Sequence, residues 1–417
     1  MVSLQRVSVR AGCLIAGTLA LAACGGGGYD NPPPISFTPY EVNLGLAVMD
    51  FNGDGLPDVL TAQTLHQPTV PFESGTLNIH LHNAGASAGF AASGSVAAGT
   101  EPLYLAGGDL NGDGLPDVVS ASFDDGQLAV YLNQKSAPGT FAAPVLLPSP
   151  GASQVVIADL NGDGLPDLVS ADYGVSVFLQ DPAHPGAFLA PFSLSAAGAN
   201  WVAVGDLNHD GLPDIVVTDA TGVHLYLHAA TATSATFMTP VTVFTQTLNQ
   251  DFQGANDVAI ADVNGDGYND LVITDPGPFG PAPPTVNILL QDATHPGTFL
   301  AGSSYPVPMG RVAQFIELAD LNADGHPDII YGDSAGVSVL LQNAAVPGTF
   351  AAASFQPVPY GAFQTGVADV NGDGLKDIVV TSAPAPTLTS GTYQMQPGVL
   401  LQNGAVPGTF AALQTLP

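Results

Sequence analysis

The stretch DLNGDGLPD at Asp109–Asp117 returns letter for letter at Asp159–Asp167. Each copy places three carboxylates, one carboxamide and two glycines within nine residues. Seven stretches of this form occur along the chain, and they begin at Asp50, Asp109, Asp159, Asp206, Asp262, Asp320 and Asp369. Their starts lie 47 to 59 residues apart, which indicates one structural unit repeated in tandem.

Short strand-like segments flank each acidic stretch. Apolar residues precede it, as in VVIA at 155–158, and a β-branched run follows it, as in DLVIT at 270–274. An alternating segment such as VSVLLQ (337–342), a loop that often reads PGTF, and a last segment such as FAAPVLL (141–147) complete the unit. No segment keeps a 3.6-residue period, and 49 Gly and 36 Pro interrupt the chain throughout. Each unit therefore predicts four short strands, A to D.

Tandem four-stranded units predict an all-β fold, a seven-bladed β-propeller whose acidic loops lie between the first and second strands of each blade. A solenoid, the alternative, would need shorter repeats and distinct capping ends. Segments of the D type that begin with Phe occur eight times, from Phe37 to Phe410, which is one more than seven blades need. We expect the extra segment, Ser36–Val42, to pair with or beside the last blade and to close the ring.

The pattern DxNGDGxxD between strands, repeated seven times in phase, resembles the FG-GAP/VCBS repeats of integrin α-type propellers. The resemblance covers residues 36–417, which we take as one propeller domain. It implies calcium-binding loops between strands A and B. It also implies a ligand surface on the face opposite these loops.

The composition is apolar and strongly acidic. Hydrophobic residues make up 46% of the chain and its mean hydropathy is +0.28, which allows a large core. The chain has 5 Lys and Arg against 36 Asp and Glu, and its formal net charge is −31. Only four of these acids are Glu, a bias toward the shorter side chain that favours turns or metal loops. No Lys/Arg patch is available for phosphates, so we expect no nucleic-acid partner.

Residues 1–23 are predicted to be a lipoprotein signal peptide. Arg6 and Arg10 precede the apolar run 11–20, and Leu-Ala-Ala-Cys at 21–24 resembles the lipobox of bacterial lipoproteins. The resemblance implies cleavage before Cys24 and attachment of lipid to its sulfur, which would anchor the chain to a membrane. An ordinary cleaved signal peptide is the alternative. By analogy, Asp after the cysteine would retain the protein in the inner membrane, so Gly25 favours the outer membrane or cell surface.

The mature chain is expected to contain no disulfide. Cys13 lies in the segment that is removed, and Cys24 would carry the lipid. Residues 24–35, with four glycines followed by three prolines, form a predicted tether between the lipid and the propeller. An exported domain without disulfides needs another source of stability.

The acidic stretch carries the oxygen donors of a calcium loop. With its residues numbered 1 to 9, positions 1, 3, 5 and 9 are Asp, Asn, Asp and Asp in every copy, and position 6 is always Gly. These side chains and the position-7 carbonyl offer hard oxygen ligands without His or Cys, which favours Ca²⁺ over zinc or copper. Mg²⁺ fits less well because it prefers a tight octahedron with several retained waters. Position 12, where an EF-hand has Glu, is never acidic.

We therefore predict up to seven structural calcium ions. The predicted ligands are Asp50, Asn52, Asp54, Leu56 and Asp58; Asp109, Asn111, Asp113, Leu115 and Asp117; Asp159, Asn161, Asp163, Leu165 and Asp167; Asp206, Asn208, Asp210, Leu212 and Asp214; Asp262, Asn264, Asp266, Tyr268 and Asp270; Asp320, Asn322, Asp324, His326 and Asp328; and Asp369, Asn371, Asp373, Leu375 and Asp377. The alternative is seven Asp-rich turns without metal. Seven sets of three close carboxylates would repel one another strongly in the absence of a cation.

Loop topology places the candidate ligand surface away from the acidic loops. In an up-and-down blade the A–B and C–D loops share one face, and the B–C and D–A loops share the other. Trp201, Phe252, Arg311 and Phe363 lie in or next to D–A loops and are our candidate ligand-binding residues. Packing at the strand ends is the alternative for each of them.

No catalytic residues are predicted. Gly85–Gly89 reads G-x-S-x-G, but it lies in a C–D loop without the strand-to-helix elbow of a hydrolase. His80, His82, His224 and His228 are interpreted as residues on the faces of C strands.

The sequence favours a monomeric adhesion or ligand-binding module whose ligand is an unknown protein or glycan. A carbohydrate-binding protein is the alternative, since some fungal lectins resemble this repeat architecture. A polysaccharide-degrading enzyme is a third reading. It is disfavoured because Lys135, Arg311 and Lys376, which would stabilise developing negative charge, do not cluster in sequence.

Overall fold

A computed structural model describes residues 40–66, 74–82, 89–196, 198–229, 235–245, 257–276, 283–309, 311–359, 361–382 and 397–416. Within these ranges the chain forms 28 strands. No helix of membrane-spanning length and apolarity is found among the described residues. The predicted signal peptide, Cys24, the tether and Phe252 lie outside these ranges.

The strands are numbered in chain order. They are β1 Tyr40–Met49, β2 Asp58–His66, β3 Ser74–His82, β4 Phe90–Thr100, β5 Pro102–Gly108, β6 Asp117–Ser122, β7 Gln127–Tyr131, β8 Val145–Pro148, β9 Gln154–Ala158, β10 Asp167–Ala171, β11 Val175–Phe178, β12 Phe192–Leu194, β13 Trp201–Gly205, β14 Asp214–Asp219, β15 Gly222–Tyr226, β16 Val241–Thr245, β17 Val258–Ala261, β18 Asp270–Asp275, β19 Thr285–Gln291, β20 Phe299–Pro306, β21 Phe315–Ala319, β22 Asp328–Asp333, β23 Gly336–Leu340, β24 Ser354–Pro357, β25 Gln364–Ala368, β26 Asp377–Thr381, β27 Gly398–Leu400 and β28 Gln414–Thr415.

Each run of four consecutive strands forms one antiparallel sheet, which gives seven four-stranded blades. Blade 1 contains β1–β4 and blade 7 contains β25–β28, and every strand pairs only with its neighbours in sequence. The first strand of each blade contacts the first strands of the two adjacent blades, including β1 with β25. These contacts arrange the first strands around a central channel. The all-β, seven-bladed propeller predicted from the repeat is confirmed.

The way the ring closes differs from our prediction. Tyr40 and Val42 pair with His66 and Thr64 within blade 1, and all strands of blade 7 come from the C-terminal part of the chain. The prediction was that residues 36–42 pair with or beside the last blade. Pairing with that blade is wrong for 40–42, although β1 as a whole contacts β25 and β26, and residues 36–39 lie outside the described ranges. The reason is continuity: Tyr40–Met49 runs directly into the first acidic loop and so supplies strand A of its own blade. Side-chain packing closes the ring instead.

Seven apolar clusters fill the interfaces between adjacent blades. The cluster between blades 1 and 2, for example, contains Leu60 and Leu77 together with Val118 and Tyr131, all fully buried. Equivalent clusters lie at the other six interfaces, including the one between blades 7 and 1. Every residue of the second strands β6, β10, β14, β22 and β26 is buried, because a neighbouring blade covers each face. This burial explains why the run after each acidic stretch is continuously apolar and β-branched.

Candidate functional site

The acidic loops share one backbone geometry in which their side chains fold inward. In blade 2, Asp109 Oδ1 accepts hydrogen bonds from the backbone N–H groups of Gly112 (2.8 Å) and Asp113 (3.1 Å), and Asp109 Oδ2 accepts one from Gly114 (2.9 Å). The Asp113 N–H also reaches Asn111 Oδ1 at 2.9 Å. The N–H of position 5 therefore bonds to the side-chain oxygens of both position 1 and position 3 and brings them close together. The same bonds from the position-5 N–H recur in all seven loops.

The glycine at position 6 adopts a turn conformation in every loop. The seven glycines there have φ between 83° and 90°, a region that non-glycine residues rarely adopt. Position 4 also has positive φ, and the two repeats without Gly there place His209 and Ala323 at φ 60° and 59°. The backbone thus keeps one shape even where the sequence departs from the repeat.

The position-9 aspartate has a structural role that the sequence analysis did not predict. Asp167 is fully buried, and its carboxylate accepts hydrogen bonds from the N–H of Leu160 in its own loop (2.9 Å) and from the N–H of Gln180 after strand C (2.7 Å). The other six blades repeat both bonds. This carboxylate therefore ties the acidic loop to the third strand of its blade.

Burial raises the pKa of all seven position-9 carboxyls to about 6, and the backbone N–H groups oppose the shift. The carboxylate at position 5 adds to it by repulsion in every blade. The negative charges of one loop therefore act on one another. A bound cation would relieve this repulsion.

The donor chemistry of these loops fits calcium, whereas their side-chain arrangement is set by backbone donors. Carboxylate and amide oxygens at positions 1, 3 and 5 lie close together, and each oxygen that accepts one N–H keeps a second lone pair for a cation. Among the described residues, no three His, Cys, Asp or Glu side chains are already grouped as a metal site. Calcium therefore remains a prediction, with position 9 engaged by the backbone on both of its oxygens.

The C–D loops lie on the same face as the acidic loops and contact them across blade interfaces. A Cβ atom added to Gly186, in the C–D loop of blade 3, would lie 3.4 Å from the Cβ of Asn111, in the acidic loop of blade 2. Gly297 and Gly348 approach Asn208 and Asn264 in the same way. Each of these glycines has positive φ. The glycine of the PGTF loop is therefore required both by its φ and by this close approach.

A side-chain amide after strand C fastens the two loops of this face in five blades. In blade 2, Asn133 Nδ2 donates to the backbone carbonyls of Pro116 in its own acidic loop and Phe51 in that of blade 1. Gln180, Gln291, Gln342 and Gln402 donate to the position-8 carbonyl of their own blades. Blades 1 and 4 have His82 and His228 at this position, and both ring nitrogens of each are buried without a hydrogen bond.

The candidate ligand-binding residues that the structure describes are packed rather than freely exposed. Trp201 and Phe363 belong to an apolar cluster at the channel, in which the Phe315 ring lies 5.0 Å from Trp201 and 4.9 Å from Phe363. Arg311 lies 3.6 Å from the buried carboxylate of Asp333 and 4.1 Å from the centre of the Phe355 ring. Packing at strand ends thus accounts for Phe363 and Arg311. Trp201 is half-buried and also lines the channel.

One position of the repeat lines the channel in most blades, and the sequence analysis did not single it out. Five residues before each acidic stretch, the seven blades carry Gly45, Tyr104, Gln154, Trp201, Asp257, Phe315 and Gln364. The three polar side chains bond to the inner strand of the next blade: Gln154 exchanges two hydrogen bonds with the backbone of Val202, Gln364 does so with Leu46, and Asp257 accepts one from Ile316. The three aromatic side chains line the channel between them. Aligning the repeats at this position would have shown that aromatic and polar residues alternate from blade 2 to blade 7.

Aspartates after the second strands stabilise the B–C turns. Asp172 accepts the N–H of Gly174 at 2.7 Å, and Asp333 accepts the N–H groups of Ala335 and Gly336. Asp219 caps its turn in the same way and also lies 3.1 Å from a ring nitrogen of His224. His224 lies on strand β15, beside Thr242 of the adjacent strand. These contacts make the three aspartates turn residues, and they agree with the interpretation of His224 as a residue on a strand face.

Seven blades, each with the same acidic loop between its first and second strands, define a repeat-built β-propeller. The profile of the FG-GAP-like repeat matches residues 109–170, 159–217, 206–273, 262–331 and 320–380, which together cover more than half of the chain. The chain therefore belongs to the FG-GAP-like repeat family. Each match runs from one acidic loop into the next blade, in the phase of the structural repeat. No curated protein matches the sequence significantly.

One solved structure supports the fold, and two others are similar at lower TM-scores. A protein from Lactobacillus plantarum is similar over 91% of this chain and 97% of its own, with 12% identity and a TM-score of 0.50. The Vibrio cholerae biofilm matrix protein Bap1 matches over 91% and 90%, with 13% identity and a TM-score of 0.45. A Bacteroides uniformis protein, provisionally assigned as a 6-phosphogluconolactonase, matches over 75% and 94%, with 13% identity and a TM-score of 0.46. At these identities the likeness concerns the fold alone.

Proposed function

We propose that this chain is a calcium-binding, lipid-anchored propeller of the bacterial envelope that acts as an adhesion or ligand-binding module and not as an enzyme. The acidic loops carry the metal part of the proposal. Seven copies of one loop hold three carboxylates and one amide in the same register, on one face of the ring. The loops contain 21 of the 32 aspartates, and seven calcium ions would add 14 positive charges to a formal net charge of −31.

Calcium would act structurally in this protein. The acidic loops of blades 1, 2, 4 and 5 contact the C–D loop of the following blade, so an ion in such a loop would brace an interface between blades as well as a turn within one blade. An ion that binds only the folded state stabilises it by RT ln(1 + [L]/Kd) at each site. Extracellular calcium modules have Kd values of about 10⁻⁴–10⁻³ M, so millimolar calcium would stabilise the ring.

The binding part of the proposal rests on a difference between the two faces of the ring. The face with the acidic loops is nearly identical in all seven blades, whereas the opposite face contains the B–C and D–A loops, which differ in length and sequence. Rigid scaffolds with variable loops on one side are typical of binding proteins.

Three measurements test the proposal. Calcium titration of the chelated protein should show several ions bound per chain and a rise in the melting temperature, and a melting curve unchanged by chelation would overturn the structural role of calcium. Labelling with a radioactive fatty acid, with Cys24→Ala as the matched control, tests the lipid anchor. A glycan array in calcium buffer, repeated with variants of the B–C and D–A loops, separates a lectin from a protein-binding module.

A further inference from the structure

The central channel contains a cavity of about 260 Å³ that is distinct from the acidic loops. Its walls come from the inner strands of blades 2 to 7, and its apolar lining includes Val156, Val204 and Ile260. The aromatic side chains of Tyr104, Trp201 and Phe315 also line it. Ligand sites usually have volumes of about 300–1,000 Å³. The channel cavity is slightly smaller, so it fits a molecule smaller than a typical drug.

The polar groups of this cavity divide into satisfied and unsatisfied ones. Gln154, Asp257 and Gln364 bond to the backbone of the next blade, as described above. Glu317 projects from β21 and has no hydrogen bond or ion pair with another described residue. The hydroxyl of Thr365, a residue with only 6% of its surface exposed, is buried without a hydrogen-bond partner. Among the described residues, the channel therefore offers one carboxylate and one hydroxyl that have no hydrogen-bond partner.

The protein's own cations do not neutralise this carboxylate. Arg311 is engaged by Asp333 and Phe355, and Lys135 donates to a backbone carbonyl in the acidic loop of blade 2. Lys376 is exposed at the seventh loop and acts on Glu317 only through a longer-range attraction. The negative field of the whole chain further concentrates cations from solution at such a site.

We propose that the channel binds a small organic ammonium ion, with its charge between the Glu317 carboxylate and the rings of Tyr104 and Trp201. Aromatic rings attract cations electrostatically, and the apolar walls favour a cation whose nitrogen carries methyl groups. The Thr365 hydroxyl provides a partner for one polar group of the ligand. A sugar is disfavoured because it needs several free donors and acceptors. A metal ion is disfavoured because, of the two described carboxylates that line the cavity, Asp257 already accepts a backbone N–H on each oxygen.

Burial raises the pKa of Glu317 to about 7, while the Lys376 ammonium opposes the shift. Asp257, which is buried on the neighbouring blade, is repelled by Glu317. A cation in the cavity would favour the ionised form of Glu317, so its binding should strengthen as the pH rises through 7.

Trp201 provides the readout, because it is the single tryptophan of the chain and lines the cavity. The full chain is titrated with choline and with its neutral carbon analogue, in which carbon replaces the nitrogen, and binding is followed by Trp201 fluorescence and by calorimetry. Choline should bind saturably, and the neutral analogue should bind about tenfold more weakly or less, since it keeps the shape and loses the charge.

Two variants and a control locate the site. Glu317→Gln keeps the shape of the side chain and should weaken choline binding about tenfold or more, because it removes the charge partner. Thr365→Val should weaken it by a smaller factor. Asp124→Asn, which removes an exposed carboxylate in a B–C turn of blade 2, should leave binding unchanged. Equal affinity for choline and its analogue, unchanged binding by Glu317→Gln with a normal melting curve, or no binding at tens of millimolar choline would each overturn the proposal.

Discussion

The side chain of Gln364 forms two hydrogen bonds with the backbone of Leu46, 318 residues earlier in the chain. Gln364 Oε1 accepts the N–H of Leu46 at 2.8 Å, and Gln364 Nε2 donates to the Leu46 carbonyl at 3.3 Å. No strand pairing joins the first and seventh blades among the described residues. This amide, a hydrogen bond from the Thr381 hydroxyl to the Leu44 carbonyl (3.0 Å) and the apolar cluster between blades 7 and 1 therefore connect the two ends of the ring.

Replacing Gln364 with Ala should weaken this closure. The change leaves the buried N–H and carbonyl of Leu46 without their side-chain partners, so the free energy of unfolding should fall by about 1–3 kcal/mol. Hydrogen exchange should rise at the Leu46 amide. Gln414→Ala is the matched control, since Gln414 lies exposed on the outer strand of the same blade, and it should change stability by less than about 0.5 kcal/mol. Equal effects of the two variants would contradict this role.

The sequence predicted the propeller because one period accounts for both its strands and its loops. A stretch such as DLNGDGLPD has a turn at its centre and apolar strands on both sides, and repetition reveals the blade. The closure of the ring could not be predicted in this way. Phe37 marked a surplus segment, but the partner of Tyr40–Met49 depends on the three-dimensional continuity of blade 1.

The roles of individual aspartates were only partly predictable. Position 9 looked like a fourth metal ligand by sequence, yet Asp167 bonds to the N–H of Gln180, which lies 13 residues away, just after the next strand. A pattern within nine residues cannot show such a bond. The channel site was missed for a similar reason: Trp201 was a candidate from its loop position, but Gln154 and Glu317, which line the channel with it, belong to other blades and meet it only when the ring is formed.

Positions 5 and 9 of an acidic loop should respond differently to mutation. Asp163→Ala in blade 3 removes a carboxylate that bonds only to a nearby loop N–H, so it should lower the calcium stoichiometry by one and change the chelated protein's stability little. Asp167→Ala leaves two buried N–H groups unpaired and should destabilise even the chelated protein by about 3 kcal/mol. Calcium titration and unfolding in chelator separate the two effects. The reverse pattern would show that position 9 acts chiefly through the metal.

The PGTF loops should be sensitive to any side chain at their glycine. Gly408 has a φ of 71°, and a Cβ atom there would lie 2.7 Å from Leu341 Cδ2. Gly408→Ala should therefore destabilise the protein by about 2 kcal/mol or more, through both strain and overlap. Gly162→Ala is the control, because Gly162 has a similar φ of 72° with no atom within 4 Å, so its effect should stay near 1 kcal/mol. Comparable melting temperatures for the two variants would argue against the close contact.

Blades 1 and 4 should gain stability from the amide that the other blades carry. His228 is 2% exposed and has two buried ring nitrogens without a hydrogen bond. In His228→Gln, the new amide can donate to the Pro213 carbonyl, as Gln180 does to Pro166 in blade 3. The free energy of unfolding should rise by about 1 kcal/mol. The converse change, Gln180→His, should lower it by a similar amount, and denaturant titration of both variants checks the pair.

Glu317 should make stability depend on pH. Burial raises its pKa from an ordinary 4.5 to about 7, so the folded protein holds this proton more tightly than the unfolded chain does. Its contribution is therefore most favourable below about pH 4.5 and is lost as the pH rises toward 7. In Glu317→Gln the new side chain carries no charge at any pH, so the stability of the variant does not fall in this way as the pH rises. Wild type and variant should be nearly equal in stability near pH 4.5, and the variant should be more stable near pH 8, by on the order of 2 kcal/mol. Urea unfolding in saturating calcium measures the difference, and Asp124→Asn controls for the change in net charge. A variant less stable than wild type at pH 8 would mean that the ionised Glu317 has a stabilising partner in the folded channel.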